Sequence, residues 1–112
     1  MAKTDKPERT LYFVEEDSKT GSYFRESEPA LMTRQQVVEW IRTGEIENPI
    51  SIIEVTIGEP AREVLEDIVR EVCDYLADDT PVNGQLVPNY LVDLIEDVIG
   101  VKTVDRIEAG AW

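Results

Sequence analysis

The period of apolar and polar positions changes several times along this chain, and each change marks an element. Residues 1–9 hold three basic and two acidic residues with Pro7 and nothing apolar after Met1 and Ala2, so residues 1–10 read as a flexible tail. Leu11-Tyr12-Phe13-Val14 then opens an aromatic and β-branched run. Ser22-Tyr23-Phe24-Arg25-Glu26 follows after the polar, Gly21-containing stretch 17–21. Two such runs across a short polar turn predict a β-hairpin over 11–26. Further on, Ile53, Val55 and Ile57 alternate with Glu54 and Thr56. That alternation predicts a strand at 50–57, paired with the hairpin, with those three residues on the core face.

Between these strands the period becomes helical. Thr33 with Gln36 three residues later fits a capping box, and Met32 and Val37 suit the hydrophobic staple across it. Val37, Ile41 and Trp40 or Val38 give the apolar stripe, and Gly44 suits the left-handed residue after the last turn, so a helix is expected at 33–43. Pro60 fits a first helical position. From it Ala61, Val64, Leu65, Ile68, Val69, Val72, Cys73 and Leu76 recur at three- and four-residue steps, predicting a helix over 60–77 that ends in the turn Asp79–Gly84. Pro88 opens a third helix, 88–99, with the stripe Leu91, Leu94, Ile95 and Val98, stopped by Gly100. That stripe would serve a core or a homodimer equally well. Residues 101–112 fit a short helix, a strand or an extended segment. The expected fold is a two-layer α+β domain over 11–108, a small antiparallel sheet (11–26, 50–57) packed against helices 33–43, 60–77 and 88–99, with 109–112 as a C-terminal tail.

Composition narrows the function classes. The 112 residues carry 24 acidic and 11 basic side chains, a formal net charge of -13 and a pI near 4.2. So much negative charge disfavours direct binding to nucleic acid and to anionic membrane surfaces, and it favours a protein partner with a basic surface. No window approaches the roughly 18 consecutive apolar residues of a membrane span, and no apolar stretch follows the N-terminal charges as in a secretory signal. The expected location is cytoplasmic.

Catalytic chemistry finds little to work with. There is no histidine, which removes the commonest general base near neutral pH and every histidine-dependent triad or zinc site. Cys73 is the one cysteine and falls on the apolar stripe of 60–77, where a core thiol is favoured over a nucleophile. The glycines are scattered singly and make no phosphate cradle. Asp78, Asp79 and Asn83 do not match the spacing of a calcium loop and read as a helix stop. No enzyme activity, cofactor or metal is expected.

One feature stands out for binding. Segment 59–79 holds eight acids against Arg62 and Arg70, a net of -6. Glu63, Glu66, Asp67, Glu71, Asp74 and Asp78 among them are the candidate partner-binding residues. Carboxylates spaced along a helix imitate a row of phosphates, and in size and charge the chain resembles the small acidic phage inhibitors that act as nucleic-acid mimics on restriction and CRISPR systems. A charged solvent face that keeps the protein in solution explains the same letters and is favoured. Trp40, Tyr12, Phe13, Tyr23 and Phe24 would be a hot spot if exposed together, but packing in the core is favoured.

Two further resemblances follow from runs of residues. Tyr12-Phe13-Val14, Thr20-Gly21 and Ala61–Val72, which contains Glu66-Asp67-Ile68-Val69-Arg70-Glu71, resemble a group of small uncharacterised acidic bacterial proteins with an aromatic N-terminal strand and an "EDIxRE" helix. That group carries no function across. The order of elements over 11–55, with Arg42-Thr43-Gly44-Glu45-Ile46 ending the first helix, is similar to the GYF-type peptide-binding modules. The Gly-Pro-Tyr/Phe signature of those modules is missing, so recognition of proline-rich ligands is not implied. The leading expectation is a non-enzymatic adaptor or regulator acting by protein–protein contact. The alternative is an acidic nucleic-acid mimic that inhibits a DNA-binding protein.

Overall fold

The structure, a computed structural model, describes residues 10–25, 28–46, 48–83 and 87–112, with the backbone alone for 79–83. Its elements are β1 (Thr10–Ser18), β2 (Gly21–Phe24), a 3-10 turn (Pro29–Leu31), α1 (Arg34–Arg42), β3 (Pro49–Thr56), β4 (Arg62–Glu63), α2 (Leu65–Asn83), α3 (Asn89–Val98) and α4 (Thr103–Glu108). The strands form one antiparallel sheet in the order β2-β1-β3-β4, with the helices packed on it in a two-layer α+β fold. The tail at 1–9, Glu26 of the hairpin and Gly84 of the turn lie outside the described residues.

The register of β1 against β3 decides what faces the helices. Val14 stands opposite Ile52 and Tyr12 opposite Glu54, and on the other side of the sheet Phe13 stands opposite Ile53 and Leu11 opposite Val55. Directly opposed antiparallel residues share a face. Val14, Ile52 and Tyr12 are buried with the helices, whereas Leu11, Phe13, Ile53 and Val55 are only half-buried and no described helix packs against them. The alternation read from Ile53, Val55 and Ile57 therefore chose the wrong face. Ile52 is fully buried, and Ile57 lies past the strand at 69% exposure. Ile50, Ile52 and Ile53 are apolar on both parities, so the run alone does not say which set turns inward. A bulge adds to this, because Glu15 pairs with Ser51 while Glu16 pairs with Pro49, which skips Ile50 and buries Pro49 beside the inward set.

The first helix forms as its sequence predicts. Thr33 Oγ1 accepts the Gln36 amide at 3.1 Å, and Met32 and Val37 are both buried. At its far end Gly44 takes φ +84°, and a Cβ there would lie 3.1 Å from the Tyr90 ring, so the position needs glycine twice over. The Tyr90 hydroxyl donates to the Arg42 carbonyl at 2.7 Å, which ties α3 to the end of α1.

The second helix departs from expectation at both ends. Pro60 does not open it: Arg62 and Glu63 form the short edge strand β4 first, and α2 starts at Leu65. The cause is Glu63, whose Oε2 accepts the Leu65 amide and the Ile52 amide of β3, each at 2.9 Å. One carboxylate thus satisfies an orphan donor of the helix and one of the sheet edge. Nor does the chain stop at 77, since α2 continues through the expected turn to Asn83. Its apolar face supplies Ile68, Val69, Val72 and Cys73 to the core, met by Val37, Val38 and Ile41 of α1.

Helix α3 follows Pro88 as expected, and its Leu91 and Ile95 are buried in that same core. The ambiguous C-terminal segment is helical over α4, where Val104 and Ile107 join the core. Trp112, within the segment 109–112 expected to be a tail, is half-buried against the core. Its Nε1 donates to Asp74 Oδ1 at 2.7 Å, and the Arg106 guanidinium lies 5.6 Å from its ring.

The double role of Glu63 gives a stability prediction. Glu63→Ala should lower the free energy of unfolding by about 1–2 kcal/mol, the size of a lost cap, and Glu63→Gln by less, because one amide oxygen still accepts. Urea denaturation of the two variants checks the order.

Candidate protein-binding surface

The acidic residues singled out on 60–78 do not form one row of unengaged carboxylates. Glu63 is spent on the backbone of β3 and α2. Glu66 pairs with Arg70 at 2.8 Å one turn along the helix, and Glu71 pairs with Arg34 of α1 at 2.7 Å. Asp74 holds the Trp112 indole. Asp67 and Asp78 are exposed, eleven positions apart on the chain. Four of the six candidate residues thus act within the fold, binding α2 to the sheet, to α1 and to the C-terminus.

The aromatic residues divide by strand face and do not all go to the core. Tyr12 is buried, and Trp40 is half-buried against the core with the Arg25 guanidinium 4.8 Å from its ring. Arg25 also binds Glu16, a buried carboxylate, at 3.0 Å and Glu45 at 2.9 Å, which clamps the hairpin to the end of α1. Phe13 and Phe24 lie on the open face of the sheet, Phe24 at 52% exposure, and Tyr23 is half exposed.

That open face is the surface that the sequence reading missed. Leu11 and Phe13 of β1, Phe24 of β2, and Ile53 and Val55 of β3 lie side by side through the strand pairing. A depression of about 240 Å³ runs between Phe13, Phe24 and Ile53. Glu15 borders the apolar strip at its β2 end, where its carboxylate accepts the Ser22 hydroxyl at 2.6 Å and the Ser51 hydroxyl at 3.0 Å. These hydroxyls hold Glu15 below the ordinary carboxylate range, Ser22 more than Ser51. The signal was legible: Leu11 and Phe13 alternate with Tyr12 and Val14 in β1, and Ile53 and Val55 lie on the opposite parity to Ile52 in β3, so both faces of each strand carry apolar residues.

At the opposite end of the strands a polar network closes the inner face. The Tyr12 hydroxyl donates to Glu54 at 2.7 Å, and Arg62 of β4 grips the other Glu54 oxygen through Nε at 3.0 Å and Nη2 at 2.7 Å. These contacts explain how Glu54 occupies a helix-facing position. The Tyr12 hydrogen bond first and the Arg62 pair second lower the Glu54 pKa below its ordinary 4.5. Burial first and Glu54 second raise that of Tyr12 above 10.0. Cys73 is fully buried on α2, and burial, with a smaller contribution from Asp74, pushes its thiol up to about 11. Among the described residues, no group of three or more His, Cys, Asp or Glu side chains is placed to hold a metal ion, and no helix is long and apolar enough to cross a membrane.

Comparison of the chain with models of protein families, with curated proteins and with solved structures gives no match in any of the three.

Two predictions follow from these environments. The depressed Glu54 pKa contributes stability that is complete above pH 4.5 and is lost as the pH falls through the lower folded-state value. Urea midpoints measured from pH 6 down to pH 2 should therefore fall less steeply in Glu54→Gln than in the parent protein. The Cys73 thiol should react with an aromatic disulfide reagent at pH 8 only after urea unfolds the chain, and fast labelling of the native protein would show that the helix layer opens readily.

Proposed function

We propose that this protein acts without catalysis of its own, by protein–protein contact through the open face of its sheet. The observation that carries this reading is the apolar strip Leu11, Phe13, Phe24, Ile53 and Val55, aligned by the strand register and covered by no described helix. An apolar surface that stays in water costs roughly 25 cal/mol per Å², which a partner of complementary shape would recover. Phe13 and Phe24 beside a depression resemble the aromatic anchors that dominate binding energy at protein interfaces. The Glu15 carboxylate, held by the Ser22 and Ser51 hydroxyls, gives the strip a polar border that can stay in water at the rim of an interface. A partner with basic residues around an apolar centre suits the net charge of -13.

The nucleic-acid mimic has weaker support. It needs carboxylates available in a row, and on α2 the Glu66, Glu71 and Asp74 side chains are engaged inside the fold.

The test is a double substitution that removes the apolar strip while keeping strand-forming side chains, Phe13→Thr with Ile53→Thr. Partners captured by the immobilised parent protein at moderate salt should be lost to the variant, with affinity reduced about tenfold or more in calorimetry against the captured partner. The variant should keep its helical circular dichroism. Equal capture by both proteins would overturn the proposal, and capture that is abolished by salt and competed by duplex DNA would favour the mimic.

A further inference from the structure

A second concave surface lies away from the open sheet face, between α3 and the strand ends at Asp17 and Pro49. It is a groove of about 450 Å³, in the size range that holds side chains or small ligands. On α3, Asp93 and Asp97 form one row four residues apart, and Leu94 and Val98 form the next, so an acidic line runs beside an apolar one. Across the groove Ile50 of β3 continues the apolar lining, 45% exposed, and Asp17 of β1 adds a third carboxylate. Among the described residues that line it there is no lysine or arginine. Unlike Glu66 and Glu71 of α2, Asp17, Asp93 and Asp97 take part in none of the ion pairs among the described residues.

We infer that this groove binds an extended basic segment of a partner protein, in which leucine-like side chains alternate with arginine or lysine. The apolar lining of Ile50, Leu94 and Val98 takes the apolar side chains and the alkyl stems of the basic ones, and the charged heads reach the rim carboxylates. Arginines two apart on an extended strand are separated by roughly 6.5 Å. That spacing matches carboxylates one turn apart on a helix, whose Cβ atoms are about 5–6 Å apart. A metal ion does not fit, because the three aspartates make no group placed to hold one. A nucleic acid is excluded by the sign of the charge. A bare polyamine would leave the apolar lining unused. The groove is independent of the sheet face and stands or falls separately from it.

The experiment is fluorescence anisotropy of a labelled decapeptide of alternating arginine and leucine, titrated with the full chain at low and physiological salt. Three variants are compared with the parent: Asp93→Asn with Asp97→Asn, Ile50→Ser, and Glu28→Gln with Glu59→Gln. The last removes the same charge from exposed positions that do not line the groove. Saturable binding is expected, weakened about tenfold by the aspartate pair and also by Ile50→Ser, and little by the glutamate pair. Equal losses from the two charge-removing variants would mean diffuse attraction and would overturn the groove. So would absence of saturable binding, or displacement of the peptide by equimolar spermidine. If Phe13→Thr with Ile53→Thr alone abolishes binding, the peptide has read the sheet face and the groove assignment is wrong.

Discussion

The structure depends most on the pairing of β1 with β3 in one register. Placing Val14 opposite Ile52 turns both into the helix layer, and the same pairing turns Phe13 and Ile53 out of it. Because side chains alternate strictly along a strand, a slip of one residue in either strand would exchange the two faces. Several contacts hold the register from its ends. Tyr12 and Arg62 meet on Glu54 at one end. At the other, the bulge between Glu15 and Glu16 buries Pro49, and Arg25 fastens the neighbouring Glu16 beside Trp40. The helices then need only one face to pack on, and the other is left apolar and open.

Charge is distributed by the same geometry. A net charge of -13 makes the chain self-repelling, and local ion pairs and hydrogen bonds to its carboxylates offset part of that repulsion. Glu63 replaces a missing backbone partner at the start of α2, Glu71 fixes α2 to α1 through Arg34, and Asp74 fastens the C-terminal tryptophan. Pairs as exposed as Glu66 with Arg70 add little stability each, but they remove the uninterrupted negative row that imitation of a nucleic acid requires. The carboxylates without such roles at the α3 groove lie beside the apolar side chains Ile50, Leu94 and Val98.

Much of the fold was legible in the sequence because its signals were local. The cap at Thr33, the stripe Ile68-Val69-Val72-Cys73, and Pro88 ahead of α3 each specify an element within a few residues. What failed were choices that only tertiary contacts decide. Pro60 is a good helix opener, yet Glu63 bonds to a strand eleven residues back and delays the helix by five positions. The face of β3 was misassigned because Ile52 and Ile53 are equally apolar, and the decision rests on Glu54 finding Tyr12 and Arg62. The partners of the candidate carboxylates were hidden for the same reason. Periodicity showed the acids on α2 facing away from the core but not their partners Arg34 and Trp112, which are distant in sequence. The open sheet face became visible once the hairpin and β3 were aligned.

The most direct measurement of this register is solvent relaxation of isoleucine methyl groups by a soluble gadolinium chelate. With Ile52 and Ile53 assigned in a methyl-labelled sample, the Ile53 signal should broaden strongly and the Ile52 signal should stay sharp, since adjacent residues lie on opposite faces of the same strand. Broadening of Ile52 with protection of Ile53 would mean that β3 is turned over, with the helices on the other side. The apolar face described here would then be the core.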